Sequence, residues 1–332
     1  MFYLHLNKKR LNKEFRQDIT HLLLQEGFSA VGFSKAGPVH ASWGKKFSEW
    51  LRNGNHNGLK WLEKNVEKRN DPTLLYPGTK TIISMLHPWP EMEFDTGSIK
   101  IAAYAHGYDY HDYLRKQAEA AIKFVAAAVP DFQPKFITDS AAVFDRYWAW
   151  KAGLGFIGKN GFLIHPESGS KVLIAHILTS VEFHSESNTI EDECGSCTKC
   201  MDNCPTRAFN GDGTIDARKC IACYNIESKE NIPAFIAEKN PGWIFGCDIC
   251  QAVCPYNQTT IMSVFADKMK KNWQAPASEE EWLNLSEAEF KKRFSHTPLS
   301  RAGLEKMKQN IASLRQQSSD RKSQRTAPDE HN

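Results

Sequence analysis

The stretch Cys194-Gly-Ser-Cys197-Thr-Lys-Cys200-Met-Asp-Asn-Cys204-Pro205 is the most informative part of this 332-residue sequence. Its spacing is C-x2-C-x2-C-x3-C-P. In this pattern three closely spaced thiolates bind one 4Fe-4S cubane, and the fourth binds another cubane when two are present. A zinc site more often takes its ligands in two pairs. The stretch therefore predicts an iron–sulfur domain rather than a zinc site.

A second run, Cys247-Asp-Ile-Cys250-Gln-Ala-Val-Cys254-Pro255, repeats this spacing without its first ligand, since Ile244 stands at that position. If the last cysteine of each run crosses to the other cluster, as in two-cluster ferredoxins, the ligands divide into two sets. The first set is Cys194, Cys197, Cys200 and Cys254. The second set is Cys204, Cys247, Cys250 and either Cys220 or Cys223, which lie between the runs.

The rest of the composition restricts the class of protein. All nine cysteines lie between Cys194 and Cys254, which favours metal binding over disulfides. Met1–Arg10 lacks the residue order of a secretory signal, and no apolar run reaches the roughly 18 residues of a membrane span. We expect a cytoplasmic protein with no membrane partner. A net charge of +3 does not by itself predict nucleic-acid binding.

Sequence patterns divide the chain into four predicted parts. Helical and strand patterns alternate over 1–185, which predicts an α/β (α+β) domain. Residues 186–260 should form a two-cluster ferredoxin-like domain. Residues 261–315 should be helical, because two S-x-x-E capping boxes begin at Ser278 and Ser286. The polar tail 316–332 is predicted to be disordered.

Three local patterns in the first domain bear on function. Asp139 precedes a helical pattern over Ser140–Ala152 and could be its N-cap, which is worth about 1 kcal/mol. Phe162–His165 and Val172–Thr179 are predicted to form a hairpin. Gly153-Leu-Gly155-Phe-Ile-Gly158 matches the dinucleotide fingerprint, but it follows a helical pattern and lacks an acidic residue about 20 positions later. The context therefore argues against a dinucleotide site, although the glycine-rich turn into Lys159 and Asn160 could hold another cofactor.

Together these residues resemble a known family, the epoxyqueuosine reductases, which are cobalamin-dependent iron–sulfur enzymes related to the reductive dehalogenases. The resemblance extends from about Leu11 to about Asn310. It is carried by Glu67–Pro72, Gly107–His111, Thr138–Ser140, Gly158–Asn160, Ile190–Asp192, Cys220–Glu227 and Gly246–Pro255. In that family the first cysteine of the segment matching Cys220–Glu227 is the cluster ligand, which favours Cys220 over Cys223.

The resemblance implies an activity and a set of cofactor-binding residues. The family reduces epoxyqueuosine to queuosine at the wobble position of tRNA, which completes queuosine biosynthesis. Cobalamin binds in the N-terminal domain and receives electrons through two 4Fe-4S clusters. The positions that would contact cobalamin are Arg69, Ala102, Asp139, Lys159, Asn160, Leu163, Ile174 and Ile177. Two residues depart from the family: Ala103 replaces a frequent Arg, and His176 replaces a frequent Glu.

Asp139 would be the proton donor of this reaction. A free aspartate has a pKa of about 3.9, so it must lie in an environment that raises its pKa in order to carry a proton near neutral pH. Epoxide opening leaves an alkoxide that needs such an acid. The partners implied are a tRNA, contacted by basic residues such as Arg146, Lys291–Arg293 or Arg301, and a low-potential donor of the flavodoxin or ferredoxin type. We expect a monomer.

Two alternatives remain at this point. A reductive dehalogenase-like cobalamin enzyme would act on a small organohalide, but such enzymes usually carry an export signal and a tyrosine donor. If the chain were only a two-cluster electron carrier, the domain at 1–185 would have no function.

Overall fold

Four strands of the N-terminal region pair into one antiparallel sheet of order β1-β2-β7-β4. The computed structural model describes residues 8–89, 99–128, 131, 133–183, 189–258, 273–274, 276 and 278–325. Its strands are β1 Ala30–Lys35, β2 Thr81–Pro88, β3 Lys100–Ile101, β4 Lys135–Ile137, β5 Phe156–Ile157, β6 Leu163–Ile164, β7 Val172–Thr179 and β8 Trp243–Phe245. The predicted mixture of helices and strands is thus present, and its main sheet is antiparallel.

The helices fall into two sets, those of the N-terminal region and those of the cysteine region and C-terminal segment. Those of the N-terminal region are α1 Lys8–Gln25, α2 Ala41–Arg52, α3 Lys60–Glu63, α4 Val66–Asn70, α5 Pro72–Leu75, α6 Tyr110–Gln117, α7 Glu119–Ala128 and α8 Asp145–Lys151. The remaining ones are α9 Lys199–Asp202, α10 Ala234–Ala237, α11 Ile249–Ala252, α12 Glu279–Asn284, α13 Glu287–Phe294 and α14 Leu299–Arg325. Within the described residues, no helix has the length and apolar composition to cross a membrane.

Side chains alternate between the two faces of the sheet, as the pleat of a strand requires. On β7, Ala175 and Ile177 pack into the core beneath α1, α6 and α7. Ile174 and Leu178 point to the opposite face, where α8 packs. This alternation separates Ile174 from Ile177.

The predicted hairpin is wrong, because β7 is a long inner strand of the main sheet. It pairs with β2 and β4, whereas β6 pairs with β5 in a separate two-stranded ribbon. The glycine-rich segment forms the entry to that ribbon. A Cβ at Gly155 would lie 2.3 Å from the carbonyl oxygen of Ile164, so the close approach of two backbones explains this glycine without a nucleotide.

The helix predicted from Ser140 begins five residues later, at Asp145 of α8, and its N-cap is Phe144. Asp139 therefore caps no helix, and the N-cap interpretation is wrong. Its backbone is left-handed, with φ +49°, a conformation that aspartate tolerates better than most residues. Asp139 instead lies in the bend between β4 and α8, and its side chain is exposed to solvent.

The cysteine region is joined to the N-terminal region by pairing and packing. Strand β3 pairs in parallel with β8, which lies just before the second cysteine run. The side chains of Ile101 and Phe245 share a core with the C-terminal helices. This packing holds the second cysteine run against the α/β region.

The capping boxes predicted at Ser278 and Ser286 are confirmed as helix starts. The Ser286 hydroxyl accepts from the Glu289 amide, while the Glu289 carboxylate accepts from the Ser286 amide. Helix α14 contains a kink at Gly303 (φ +79°) and continues to Arg325, whereas the sequence predicted disorder from Gln316. Predictions for 1–7, 129–130, 184–188, 259–272 and 326–332 fall outside the described residues.

Candidate active site and cluster-binding region

Asp139 lies at the centre of a group of titratable side chains. The Tyr110 hydroxyl donates a hydrogen bond to Asp139 Oδ2 at 2.8 Å, and Tyr110 is itself buried. Burial raises the pKa of Asp139 and the nearby Asp145 carboxylate raises it further, although the bond from Tyr110 acts in the opposite direction. The net effect favours the protonated carboxyl, as a proton donor requires.

Asp139 and Arg146 share a recess. Both side chains are exposed to solvent, yet desolvation is the largest influence on the pKa of each. A group that is accessible but surrounded by protein lies in a concave part of the surface. Arg146 Nη1 donates to the Gly161 carbonyl at 2.9 Å, and its guanidinium lies over the Phe162 ring at 4.7 Å. We call this concavity the recess.

Arg69 lies beside the recess at the end of α4. Its side chain is buried, and Nη1 donates to the Val143 carbonyl at 3.2 Å. Desolvation lowers the pKa of Arg69, while the charges of Asp145 and Asp139 raise it. The charges of the two carboxylates thus act on the guanidinium without a direct ion pair, and they offset only part of the cost of its burial.

His176 connects Asp145 to the sheet. The fully buried His176 ring lies 3.0 Å (Nδ1) from the Ser84 hydroxyl and 3.3 Å (Nε2) from the Asp145 carboxylate. A glutamate here, as in many relatives, would bring a second carboxylate next to Asp145. The histidine instead places Nε2 near that carboxylate without forming a hydrogen bond, so this departure keeps a polar group at the base of the recess.

The thiols fall into two groups according to which of them influence one another. In one group, burial and then neighbouring thiolates raise the pKa values: Cys200 responds to Cys254 and Cys197, and Cys194 responds to Cys200. In the other, Cys247 reaches a pKa of about 12, and both it and Cys250 respond to Cys220 and Cys204. These groups include the members of the two expected ligand sets, but Cys223 also responds to Cys220, so the assignment of each thiolate to a cluster stays a prediction.

Backbone amides surround several of these sulfurs. The Ala208 amide donates to Cys204 Sγ at 3.4 Å, and nearby backbone amides of Ile249, and of Tyr256 and Asn257, lower the pKa values of Cys247 and Cys254 against the effect of burial. Such bonds stabilise thiolates and tune cluster potentials. Among the described residues, no three side chains converge to hold a single metal ion. A cubane does not need such convergence, since each thiolate binds a different iron. The donor set therefore fits 4Fe-4S clusters.

Cys223 lies in different surroundings from the eight others. It is buried in the single π-helical turn Cys223–Glu227, and its sulfur accepts from Asn57 Nδ2 at 3.5 Å. Its neighbours include Cys220, Glu227 and Lys306. That Cys223 is a packed thiol and Cys220 the cluster ligand stays a prediction.

The second cysteine run borders the recess. The Ala103 amide donates to Asp248 Oδ2 at 2.7 Å, so the carboxylate between Cys247 and Cys250 binds the backbone of the N-terminal region. A Cβ at Gly246 would lie 2.4 Å from that of Ala102, so this loop packs directly on Ala102. Cys250 also contributes to the electrostatic environment of Arg146. A cofactor in the recess would therefore lie next to the second cluster.

The remaining predicted cofactor residues are placed as follows. Asn160 is buried and accepts from the Phe162 amide, and Leu163 and Ile174 belong to one apolar cluster. Lys159 Nζ donates to the carbonyls of Gly195 and Cys197, so this ammonium supports the first cysteine run. Ile177 is fully buried in the opposite core. Cofactor contacts by these residues stay predictions.

Basic residues proposed for tRNA contact are mostly paired within the chain. Arg301 Nη2 lies 3.2 Å from Asp109 Oδ2 and 2.8 Å from His111 Nδ1, and Arg293 pairs with Glu281 at 3.0 Å. Sequence reasoning missed Asp145, Asp248 and the role of Tyr110. The motif Gly107–His111 contained the signal for Tyr110, whereas only the fold brings Asp145 to Asp139.

The fold and the thiol groups define an iron–sulfur oxidoreductase. Residues 193–257 match the family described as 4Fe-4S double cluster binding domain, and residues 69–140 match epoxyqueuosine reductase QueG. The epoxyqueuosine reductase of Cyclobacterium marinum is 32% identical over 307 residues, which cover 90% of this chain and 97% of the relative. That of Cellulophaga algicola is 32% identical, covering 87% and 94%. The chain belongs to the epoxyqueuosine reductase family, and its region 193–257 is a double-cluster domain.

Solved structures of this family have the same fold. A crystal structure of epoxyqueuosine reductase with an epoxyqueuosine-modified tRNA-Tyr stem loop superposes with a TM-score of 0.82 at 29% identity, covering 91% of this chain and 81% of that one. The Bacillus subtilis enzyme, with an aspartate-bearing catalytic loop swung out of its active site, gives 0.81 at 27% identity, covering 94% and 84%. The expected fold class, with a two-cluster domain and a helical C-terminal segment, is confirmed.

Proposed function

We propose that this chain reduces epoxyqueuosine to queuosine in tRNA, with cobalamin bound in the recess and Asp139 as the proton donor. The family and its tRNA-bound relative support the substrate. The observation that carries the proposal is the position of Asp139, which is accessible, desolvated, bonded to Tyr110 and near Arg146, a residue that Cys250 of the second cysteine run also influences. We assign cobalamin to the domain at 1–185 and the clusters to 186–260.

The residues present fit cobalamin. Ile174 offers partly exposed apolar surface packed against the buried Leu163, Ala102 is a small buried residue beside the cysteine loop, and Arg69 and Arg146 offer guanidinium donors. When bound and reduced, cobalamin supplies a strong nucleophile and the electrons for breaking the C–O bond, which no side chain can supply. The thiolates of both sets would hold the clusters that deliver single electrons.

In this proposal the protein supplies the proton that the leaving oxygen takes, and Asp139 is its source. Because Tyr110 donates to Asp139 Oδ2, the other oxygen, Oδ1, is the atom that would carry the proton. As the ring opens, the leaving oxygen gains negative charge and takes this proton. Removing the epoxide oxygen as water consumes two electrons and two protons, so Asp139 must be reprotonated for turnover. Desolvation in the recess keeps the acid form available.

The test is anaerobic turnover of tRNA that contains epoxyqueuosine. Cluster-reconstituted protein and a low-potential reductant are incubated with and without cobalamin, and the nucleosides are analysed by mass spectrometry. We expect the loss of one oxygen only when cobalamin is present. Intact tRNA, with both clusters and bound cobalamin verified, would contradict the proposal and favour the dehalogenase-like alternative. Equal conversion without cobalamin would contradict the cofactor assignment.

A further inference from the structure

Trp61 is a large aromatic side chain at the edge of the recess that the proposed reaction does not use. It belongs to the short helix α3, and 52% of it is exposed. The Arg69 guanidinium lies 5.9 Å from its ring centroid, and Arg69 in turn faces Asp145 and Asp139. Trp61 therefore lies beside an arginine that is within electrostatic range of the proposed catalytic acid. About half of the Trp61 surface is open to solvent.

The surroundings of Trp61 favour a polyanion. Lys60, Lys64 and Lys68 are exposed on α3, α4 and the residues between them. The acidic side chains of this stretch are Glu63, which is bound to His56 at 2.8 Å, and the exposed Glu67, so the lysines outnumber them. An open indole beside exposed ammonium groups is the arrangement with which proteins bind single-stranded nucleic acid, since bases stack on the ring while cations contact phosphates.

The reaction itself creates a need for such a ring. A nucleotide can reach an acid in a recess only after it leaves the stack of its neighbours, and an enzyme must compensate for the stacking lost. We propose that Trp61 stacks on a base of the substrate tRNA adjacent to the nucleotide that enters the recess. This inference rests on the proposed function and adds a residue that selects for an anticodon loop over an isolated nucleoside.

The experiment measures binding of a fluorescently labelled epoxyqueuosine-containing stem-loop RNA by anisotropy, with cluster-loaded protein at several salt concentrations. We expect Trp61→Ala to raise Kd about 5-fold to 100-fold, the range for loss of one base stack, and Trp61→Phe to restore most of the affinity. The dependence of log Kd on log salt should be unchanged in Trp61→Ala. In Lys64→Gln its slope should fall by about one.

Leu24→Ala is the matched control, because Leu24 is 46% exposed on α1, across the sheet from Trp61. Its Kd should equal that of wild type. A second readout is cobalamin affinity by absorbance titration, which Trp61→Ala should leave unchanged. Wild-type Kd in Trp61→Ala would overturn the inference, as would a loss of cobalamin affinity with RNA binding intact, since the ring would then contact the cofactor.

These outcomes are distinct from failure of the proposed function. If wild-type protein converts the tRNA and Trp61→Ala binds it equally well, only the stacking role is wrong. If wild-type protein neither binds nor converts the tRNA, the proposed function and this inference are both wrong.

Discussion

The cysteine region and the recess position their functional side chains in opposite ways. In the cysteine region, ligands within each run are separated by two or three residues, and local turns and backbone amides hold the sulfurs. In the recess, Arg69, Tyr110, Asp139 and Arg146 come from four separate segments, and tertiary contacts hold them. The first arrangement depends on the local chain, and the second depends on packing of the whole sheet. Substitutions should therefore act differently in the two regions.

The largest effect is expected for a cluster ligand. Cys220→Ser should remove one cluster, reduce the iron content by about half and abolish turnover, because the second thiol group would lose a ligand. Iron analysis and absorbance spectra of the purified protein give the readout. Cys223→Ser is the matched control and should retain both clusters, since the Cys223 sulfur contacts Asn57. Loss of a cluster in Cys223→Ser but not in Cys220→Ser would make Cys223 the cluster ligand instead of Cys220.

Asp139→Asn should lower kcat by about 100-fold to 10,000-fold, the usual contribution of a general acid, without loss of clusters or RNA affinity.

Since the folded protein raises the pKa of Asp139, wild-type activity should fall as pH rises through that pKa. Asp145→Asn removes a charge that raises this pKa, so its alkaline limb should move to lower pH. Asp112→Asn, an exposed carboxylate on α6, is the control. Full turnover by Asp139→Asn would refute the role of the acid.

Asp248→Asn tests the contact between the two regions. It replaces a charged acceptor that binds the Ala103 amide at 2.7 Å, and such bonds contribute about 1.5–3 kcal/mol. Because the Asn side-chain oxygen can still accept this bond without a charge, we expect the free energy of unfolding of the cluster-loaded variant, measured by denaturant titration, to fall by about 1 kcal/mol. Glu191→Gln, which removes an exposed carboxylate of the cysteine region, should change nothing measurable. Equal stability of Asp248→Asn and wild type would mean that strand pairing and apolar packing hold the regions together without a contribution from this charge.

The smallest effect is the pH dependence of stability at Asp139. Its pKa is higher in the folded protein than in the unfolded chain, so its ionisation opposes folding as pH rises through the folded-state value. Asp139→Asn should therefore be more stable than wild type at alkaline pH, and the difference should vanish in acid. Thermal unfolding at a series of pH values measures this. A variant that is less stable than wild type at every pH would contradict the raised pKa.

The same contrast explains what the sequence could predict. Cysteine spacing and the capping boxes at Ser278 and Ser286 are short-range patterns, and the helix starts that they predict are observed. The local pattern predicts Asp139 as a helix cap, and this is wrong because the helix begins only at Asp145, while Asp139 is left-handed and accepts a bond from the distant Tyr110. The partner of β7 was missed for a similar reason, since strands β2 and β4 lie far from it in sequence. Residues such as Asp145 acquire a role only from the fold.

The most direct test of the account is a crystal structure of the protein loaded with cobalamin. The account predicts the corrin ring in the recess, with Asp139 on one side and the loop Cys247–Cys250 on the other. Asp139 Oδ2 should still accept the bond from Tyr110, which leaves Oδ1 free to face the reacting centre. A corrin bound elsewhere, or an Asp139 carboxyl that points away from it, would contradict the central claim that one recess joins the acid to the electron-supplying clusters.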